Sequence, residues 1–176
     1  IIDFNDMEHY ALKIVLKEEN GEYVPSKVAK DYQNYFAEII VDEYQDSNLV
    51  QEYILNAVSG ESIGRFNRFM VGDVKQSIYR FRLARPELFM EKYEKFPKRE
   101  GECEVIDLSM NFRSRQEVLD TTNTVFSQIM DESFGGITYD EAAALYYGAT
   151  YYPKEGEYSS ELLLIEKPGD DSSDSA

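Results

Sequence analysis

The chain has 176 residues, with 18 Lys and Arg against 34 Asp and Glu and a formal charge of −16, which excludes a module that binds nucleic acid through its own net charge. Leu, Ile, Val and Phe number 45, enough for a packed core of one domain, or of one domain and part of another, and too many for a disordered acidic chain. One cysteine, Cys103, and one histidine, His9, exclude an internal disulfide and a Cys/His zinc cage.

Asn5 and Glu8 have capping-box spacing, and Met7, Tyr10, Ala11 and Ile14 recur at helical intervals, which predicts a helix over 6–17. Glu18 to Glu22 is a polar break containing Gly21, and a second short helix is expected between Pro25 and Asn34. Tyr35 to Val41, mostly apolar and β-branched at its end, predicts a strand buried on both faces. It stops at Asp42-Glu43-Tyr44-Gln45-Asp46, after which Val50, Tyr53, Ile54 and Ala57 mark a helix that Gly60 ends. Arg68 to Val71 repeats the strand pattern and runs into Gly72-Asp73, and Pro86 opens a helix whose Phe89, Tyr93 and Phe96 share a face.

A third strand is expected at Glu104 to Leu108. Ser114 and Glu117 then form a capping box for a helix carrying Val118, Leu119, Thr122, Val125, Phe126, Ile129 and Met130. After Gly135-Gly136 the chain is acidic and Tyr-rich, with a final strand expected at Glu161 to Glu166 and a solvated tail from Asp170. Strand, turn and helix in three successive rounds predict an α/β fold with parallel strands and ligands outside their carboxyl ends.

Asp42 and Glu43, at the carboxyl end of a strand, are suited to divide phosphoryl chemistry: one holds magnesium, the other orients or deprotonates water. A solvated acidic turn near a helix start is the plain alternative. Gln76 sits where the next strand ends, within reach of a phosphate, and Tyr79, Arg80, Phe81 and Arg82 interleave rings and cations as single-stranded nucleic-acid platforms do. Here an amphipathic segment with Tyr79 and Phe81 in the core is the equal alternative. Arg113, just before a helix start, suits bidentate contact with a phosphate, or a surface ion pair, while Phe112 suits either an adenine face or core packing. His9 and Cys103 read as ordinary helix or packing residues.

Val41-Asp42-Glu43-Tyr44-Gln45-Asp46, Val71-Gly72-Asp73-Val74-Lys75-Gln76-Ser77-Ile78-Tyr79-Arg80-Phe81-Arg82 and Leu108-Ser109-Met110-Asn111-Phe112-Arg113-Ser114 resemble, in order and separation, motifs II, III and IV of the UvrD/Rep-type superfamily 1 DNA helicases. Ile2-Asp3-Phe4, Asp6-Met7-Glu8 and the Lys75 to Arg82 wording are most similar to the helicase/nuclease branch of that family. The resemblance implies a partial RecA-like (P-loop NTPase) parallel sheet with flanking helices in residues 1–108 and the start of a second RecA-like lobe in 109–166, with 167–176 an acidic tail. It implies ATP and Mg2+ as cofactors, with Asp42 and Glu43 at the metal, Glu43 activating water, Gln76 sensing the terminal phosphate, Arg113 acting as an arginine finger and Phe112 stacking on adenine. Tyr79, Phe81 and Arg82 would touch single-stranded DNA. Phe81 stands where many relatives have Trp, and Leu83 where a small residue is common.

No Gly-x-x-x-x-Gly-Lys-Ser/Thr loop occurs in the chain, so an internal fragment without ATPase activity of its own is expected. The implied parent acts on single- and double-stranded DNA in break repair with a second, AddB-type helicase/nuclease subunit, and is cytoplasmic. No apolar run approaches the roughly 20 residues of a membrane helix. The competing readings are a metal-dependent nuclease built on Asp42, Glu43 and Asp46, and a non-catalytic acidic interaction domain.

Overall fold

The computed structural model describes residues 2–97, 101–153 and 158–165 and divides into two compact units. The first is residues 1–107 with 135–137, the second 108–134 with 138–176. In the first unit, helix α1 (Phe4–Val15) is capped by Asp3, which accepts from the Asp6 N–H while the Asp6 side chain accepts from the Asp3 N–H. The box thus lies two residues ahead of the expected Asn5/Glu8 pair, because Asp serves as well as Glu at the third helical position. The polar break is a hairpin, β1 (Leu16–Glu19) against β2 (Glu22–Pro25). Asn20 and Gly21 both have positive φ, the backbone that a two-residue turn needs to match strand twist.

Ser26 caps helix α2 (Lys27–Tyr35) through the Ala29 N–H and donates its hydroxyl to the Ile14 carbonyl at 2.7 Å. Strand β3 (Ile39–Val41) then pairs in parallel with β4 (Arg68–Met70), Ile40 opposite Phe69. Helix α3 (Leu49–Val58) lies between them in sequence, opened by a capping box of Asn48 and Gln51. Val15, Ala29, Ala57 and Val58 form the buried cluster, with Leu16, Ile39 and Ile54 packed on it. Helix α4 (Pro86–Lys95) starts on its proline, as its restricted φ favours.

Several expectations are corrected. Tyr35 ends α2, so β3 has three residues rather than seven, and Ile40 is 69% exposed, so the strand is not covered on both faces. Gly60 does not end α3; Ser59 does, in extended conformation, and Gly60 opens a 3-10 turn over Gly60–Ile63. Residues 104–108 form no strand.

The second unit begins with β5 (Met110–Asn111), paired in parallel with β6 (Tyr146–Tyr147), a strand the Tyr-rich sequence did not suggest. Helix α5 (Gln116–Ile129) buries Leu119 but has no side-chain cap: Arg115 occupies the cap position, and Ser114 with Glu117 forms no box. Asn123 ties α5 to the following loop, its Oδ1 accepting from the Tyr139 hydroxyl at 2.7 Å and the Leu145 N–H at 2.9 Å. Residues 161–165 are not a strand, and Glu166 and the expected tail lie outside the described residues. The fold is mixed α/β, and its sheets are three separate two-stranded pairs rather than one parallel sheet.

Candidate functional site

Because β3 and β4 are parallel, the loops that follow them leave at the same end. The pairing continues into the loops: the Val71 N–H donates to the Val41 carbonyl at 2.8 Å, and the Tyr44 N–H to the Val71 carbonyl at 2.9 Å. Glu43 takes up left-handed backbone (φ 49°) and its N–H donates to Asp42 Oδ1 at 3.0 Å. A single 3-10 turn, Tyr44–Asp46, follows. Tyr44 is fully buried and Gln45 is 1% exposed. These two anchors turn inward while Asp42 and Glu43 remain exposed at the rim.

The anchors explain why a charged pair stands at this tip. The Tyr44 hydroxyl donates to Glu52 Oε2 at 2.5 Å, and Lys92 Nζ donates to Glu52 Oε1 at 2.8 Å. Arg68 lies 3.5 Å from Glu52 and donates to Glu61 at 2.6 Å. Burial pushes the Glu52 carboxyl up, but the Lys92 and Tyr44 hydrogen bonds and the Arg68 charge outweigh it and hold it below its ordinary value. Burial, then Glu52, pushes the Tyr44 phenol up. Gln45 Nε2 donates to Glu43 Oε2 at 2.7 Å and, more distantly, to Asp46 Oδ2 at 3.4 Å. Its Oε1 accepts from the Asp73 N–H at 3.0 Å. Burial, then the Glu43 charge, pushes the Asp46 carboxyl up.

In the second loop, Asp73 accepts from the Lys75 N–H at 3.1 Å and pairs with Lys75 Nζ at 2.9 Å, and Gln76 Nε2 donates to its Oδ2 at 3.1 Å. Gln76 is therefore exposed and folded back on its own loop. Among the described residues it makes no hydrogen bond to Asp42 or Glu43. Beyond it, Arg82 sits over the Tyr79 ring at 5.2 Å and the Phe81 ring at 5.5 Å. Phe81 is 76% exposed and Tyr79 is also exposed, so the core-packing alternative for these rings is excluded. Leu83 follows with φ 65°, the left-handed region that a β-carbon disfavours.

Phe112 and Arg113 belong to the second unit. Asn111 Oδ1 accepts from the Arg113 and Ser114 N–H groups at 3.0 and 2.9 Å. The hydroxyls of Tyr151 and Tyr152 donate to the Phe112 and Arg113 carbonyls. Arg115 packs over Tyr152 and Tyr158, 4.6 and 3.7 Å from the ring centres. Phe112 is 62% exposed. The Arg113 side chain is exposed, with no hydrogen-bond or ion-pair partner among the described residues, so the surface-pair alternative is not realised in this unit.

Residues 1–97 match the UvrD/REP helicase N-terminal domain. The chain belongs to the UvrD/REP helicase family. It is similar to the AddA-type ATP-dependent helicase/nuclease subunit of Listeria welshimeri, 57% identical over 167 residues, which is 94% of this chain and 13% of that protein. The protein of the same name from Lachnoclostridium phytofermentans is 57% identical over 151 residues, 86% of this chain and 11% of the relative. That of Bacillus velezensis is 51% identical over 178 residues, 100% of this chain and 14% of the relative. The chain thus spans a small part of the length of the relatives it matches.

For a UvrD/REP helicase segment the donor set suits magnesium. Asp42 is an exposed carboxylate whose Oδ1 accepts one backbone N–H, and Mg2+ is held by one or two carboxylates together with waters and substrate phosphates. A nuclease site would instead need several converging ligands, and among the described residues no group of three His, Cys, Asp or Glu is placed to hold a metal. The Asp42, Glu43 and Asp46 nuclease reading is therefore not favoured. Sequence reasoning missed Gln45 as the link between loops and Tyr151 and Tyr152 as the brace of the Arg113 loop. Burial of a short polar turn leaves no periodic signal, and the tyrosines lie 39 residues from their partners.

Proposed function

We propose that the chain is part of the motor core of an ATP-dependent DNA helicase/nuclease subunit. In this reading residues 1–108 form part of one RecA-like lobe and 109–166 the start of a second, with 167–176 a tail. ATP hydrolysis drives movement along single-stranded DNA and unwinding of duplex during double-strand break repair and recombination, in the cytoplasm and with a second helicase/nuclease subunit of AddB type.

The observation that carries this reading is the paired tip of β3 and β4, where Glu43 and the Gln76 loop leave one end of a parallel pair and are joined by Gln45. Asp42 would hold magnesium, which supplies charge neutralisation at the phosphates. Glu43 would take the proton of the attacking water through Oε1, the carboxylate oxygen that Gln45 leaves free. Gln76 would give up its Asp73 contact for the terminal phosphate. Arg113 would meet the developing charge there, and Phe112 would stack on adenine. The Arg82 side chain between Tyr79 and Phe81 would form a stacking and phosphate-binding platform for single-stranded DNA.

The test uses the full-length protein and the isolated chain side by side. The full-length protein should hydrolyse ATP with magnesium and single-stranded DNA, and Glu43→Gln should abolish turnover while leaving nucleotide binding. The isolated chain, which lacks the phosphate-cradling loop, should show no turnover above background. Robust hydrolysis by the full-length Glu43→Gln protein contradicts the role of Glu43.

A further inference from the structure

We propose that Gln45 is a positioning residue that couples the Gly72–Gln76 loop to the Glu43 carboxylate, so that the water-activating group is in register only when the neighbouring loop is. The inference rests on the reading of Glu43 given above and assigns regulation of that same site.

Gln45 is buried, yet every polar atom of its amide is used, and the two ends of the amide serve different loops. Its orientation is fixed by chemistry. A carboxylate only accepts, so the group facing Glu43 Oε2 at 2.7 Å is the NH2. A backbone N–H only donates, so the group facing Asp73 N at 3.0 Å is the carbonyl oxygen. A flipped amide would lose both contacts. The Gln45 side chain is thus a rigid strut of one amide length between the Asp73 backbone and the Glu43 carboxylate.

The neighbouring loop is shaped around this strut. A Cβ at Gly72 would fall 2.7 Å from Gln45 Oε1, 3.2 Å from Gln45 N and 3.1 Å from the Phe89 ring, so the close approach requires glycine. Residue 73, whose N–H the strut holds, is also the residue whose carboxylate holds both Lys75 and Gln76. When Gln76 leaves Asp73 for another acceptor, the change is one hydrogen bond away from the strut and two away from Glu43. Glu43 meanwhile sits in left-handed backbone, where a non-glycine residue persists only if its surroundings hold it.

The experiment uses the full-length protein with magnesium, ATP and single-stranded DNA. Gln45→Met keeps the volume and removes both hydrogen bonds. Gly72→Ala leaves Gln45 in place and presses on its amide. Both should lower kcat by about 10- to 100-fold, the effect of loosening a general base, with KM and the affinity for a fluorescent ATP analogue within about twofold of the parent. Gln45→Glu replaces the donor by a second carboxylate, so its turnover should recover relative to the parent as pH is lowered and the new carboxyl protonates into a donor. A merely structural role would lower nucleotide affinity and turnover together and give no such pH response. Unchanged kcat in Gln45→Met and Gly72→Ala, with Glu43→Gln inactive in the same assay, overturns the coupling and leaves the role of Glu43 standing. If Glu43→Gln itself turns over normally, the underlying reading fails instead. Should Gln45→Met not fold, Gly72→Ala and Gln45→Glu carry the same decision.

Discussion

Two loops, each following the first strand of a short parallel pair, hold their polar residues by opposite means. After β3 the side chains are anchored: Tyr44 and Gln45 are buried, and Gln45 grips the Glu43 carboxylate itself. After β5 the main chain is anchored: Asn111 accepts from two N–H groups and the hydroxyls of Tyr151 and Tyr152 donate to two carbonyls, while the Arg113 side chain is left without a described partner. The difference matches the chemistry each loop is suited to. A general base works only within hydrogen-bond reach of a proton at a set angle, so its carboxylate needs a fixed place. A guanidinium that answers developing charge needs a fixed root and a free head.

The comparison breaks most severely at Glu52, which is buried and anchors Tyr44 from below through charges on Arg68 and Lys92. Glu52→Ala leaves two cations and a phenol without their acceptor and should cost about 3–5 kcal/mol, the scale for removing one partner of a buried ion pair. Urea unfolding of the chain measures it, and an unchanged midpoint would show that the network does not anchor the tip. The same group sets an acid limit. Its folded value lies below its ordinary value of 4.5, so its stabilisation is fully present above that pH and is lost as pH falls through the folded value. Glu52→Gln should therefore flatten the stability profile below about pH 4.5 relative to the parent.

In the second unit the corresponding change is smaller, because the hydrogen bond from Tyr152 to the Arg113 carbonyl lies nearer the surface. Tyr152→Phe keeps the ring over Arg115 and removes only the hydroxyl, so about 0.5–1.5 kcal/mol is expected. In the full-length protein it should also reduce turnover, since the root of Arg113 loosens. A stability loss as large as that of Glu52→Ala would erase the contrast between the loops.

How far the chain could be read in advance follows the same divide. The β3, turn, α3 succession and the Pro86 helix start were legible because an apolar run, a capping residue and a proline each act locally. The Asp42-Glu43 tip and the Gln76 loop were legible as words, by resemblance. The Asn20-Gly21 hairpin was hidden by its charged strands, Lys17, Glu18, Glu19 and Glu22, which lack the alternation that marks a strand. The expected strand at 104–108 failed because Val105 and Ile106 supply β-branched residues with no neighbour to pair with, and strands form only in pairs. Ser114 and Glu117 had the spacing of a box, but Asn111 takes the Ser114 N–H for its own turn, which places the helix start one residue later. Distant partners such as Gln45 with Asp73, 28 apart, or Tyr152 with Arg113, 39 apart, are set by tertiary packing that no local pattern encodes.

The smallest expected effect sharpens the comparison at the end of the first unit's second loop, where no buried anchor is present. Leu83 is 75% exposed and holds φ 65°, so its side chain contributes little burial while its β-carbon crowds the following carbonyl, at about 1–2 kcal/mol. Leu83→Gly removes that strain but widens the unfolded ensemble, which offsets about 0.5–1 kcal/mol. The net should be a stabilisation of at most about 1 kcal/mol, read as a small rise in thermal midpoint. Since the left-handed residue directs the chain away from Arg82, whose guanidinium lies over Tyr79 and Phe81, relief of the strain should also let the three side chains sample other arrangements. Single-stranded DNA binding by the full-length protein should then weaken even as the fold gains. A loss of stability in Leu83→Gly, with binding intact, would mean that the exposed leucine packs and the strained turn does not set the platform.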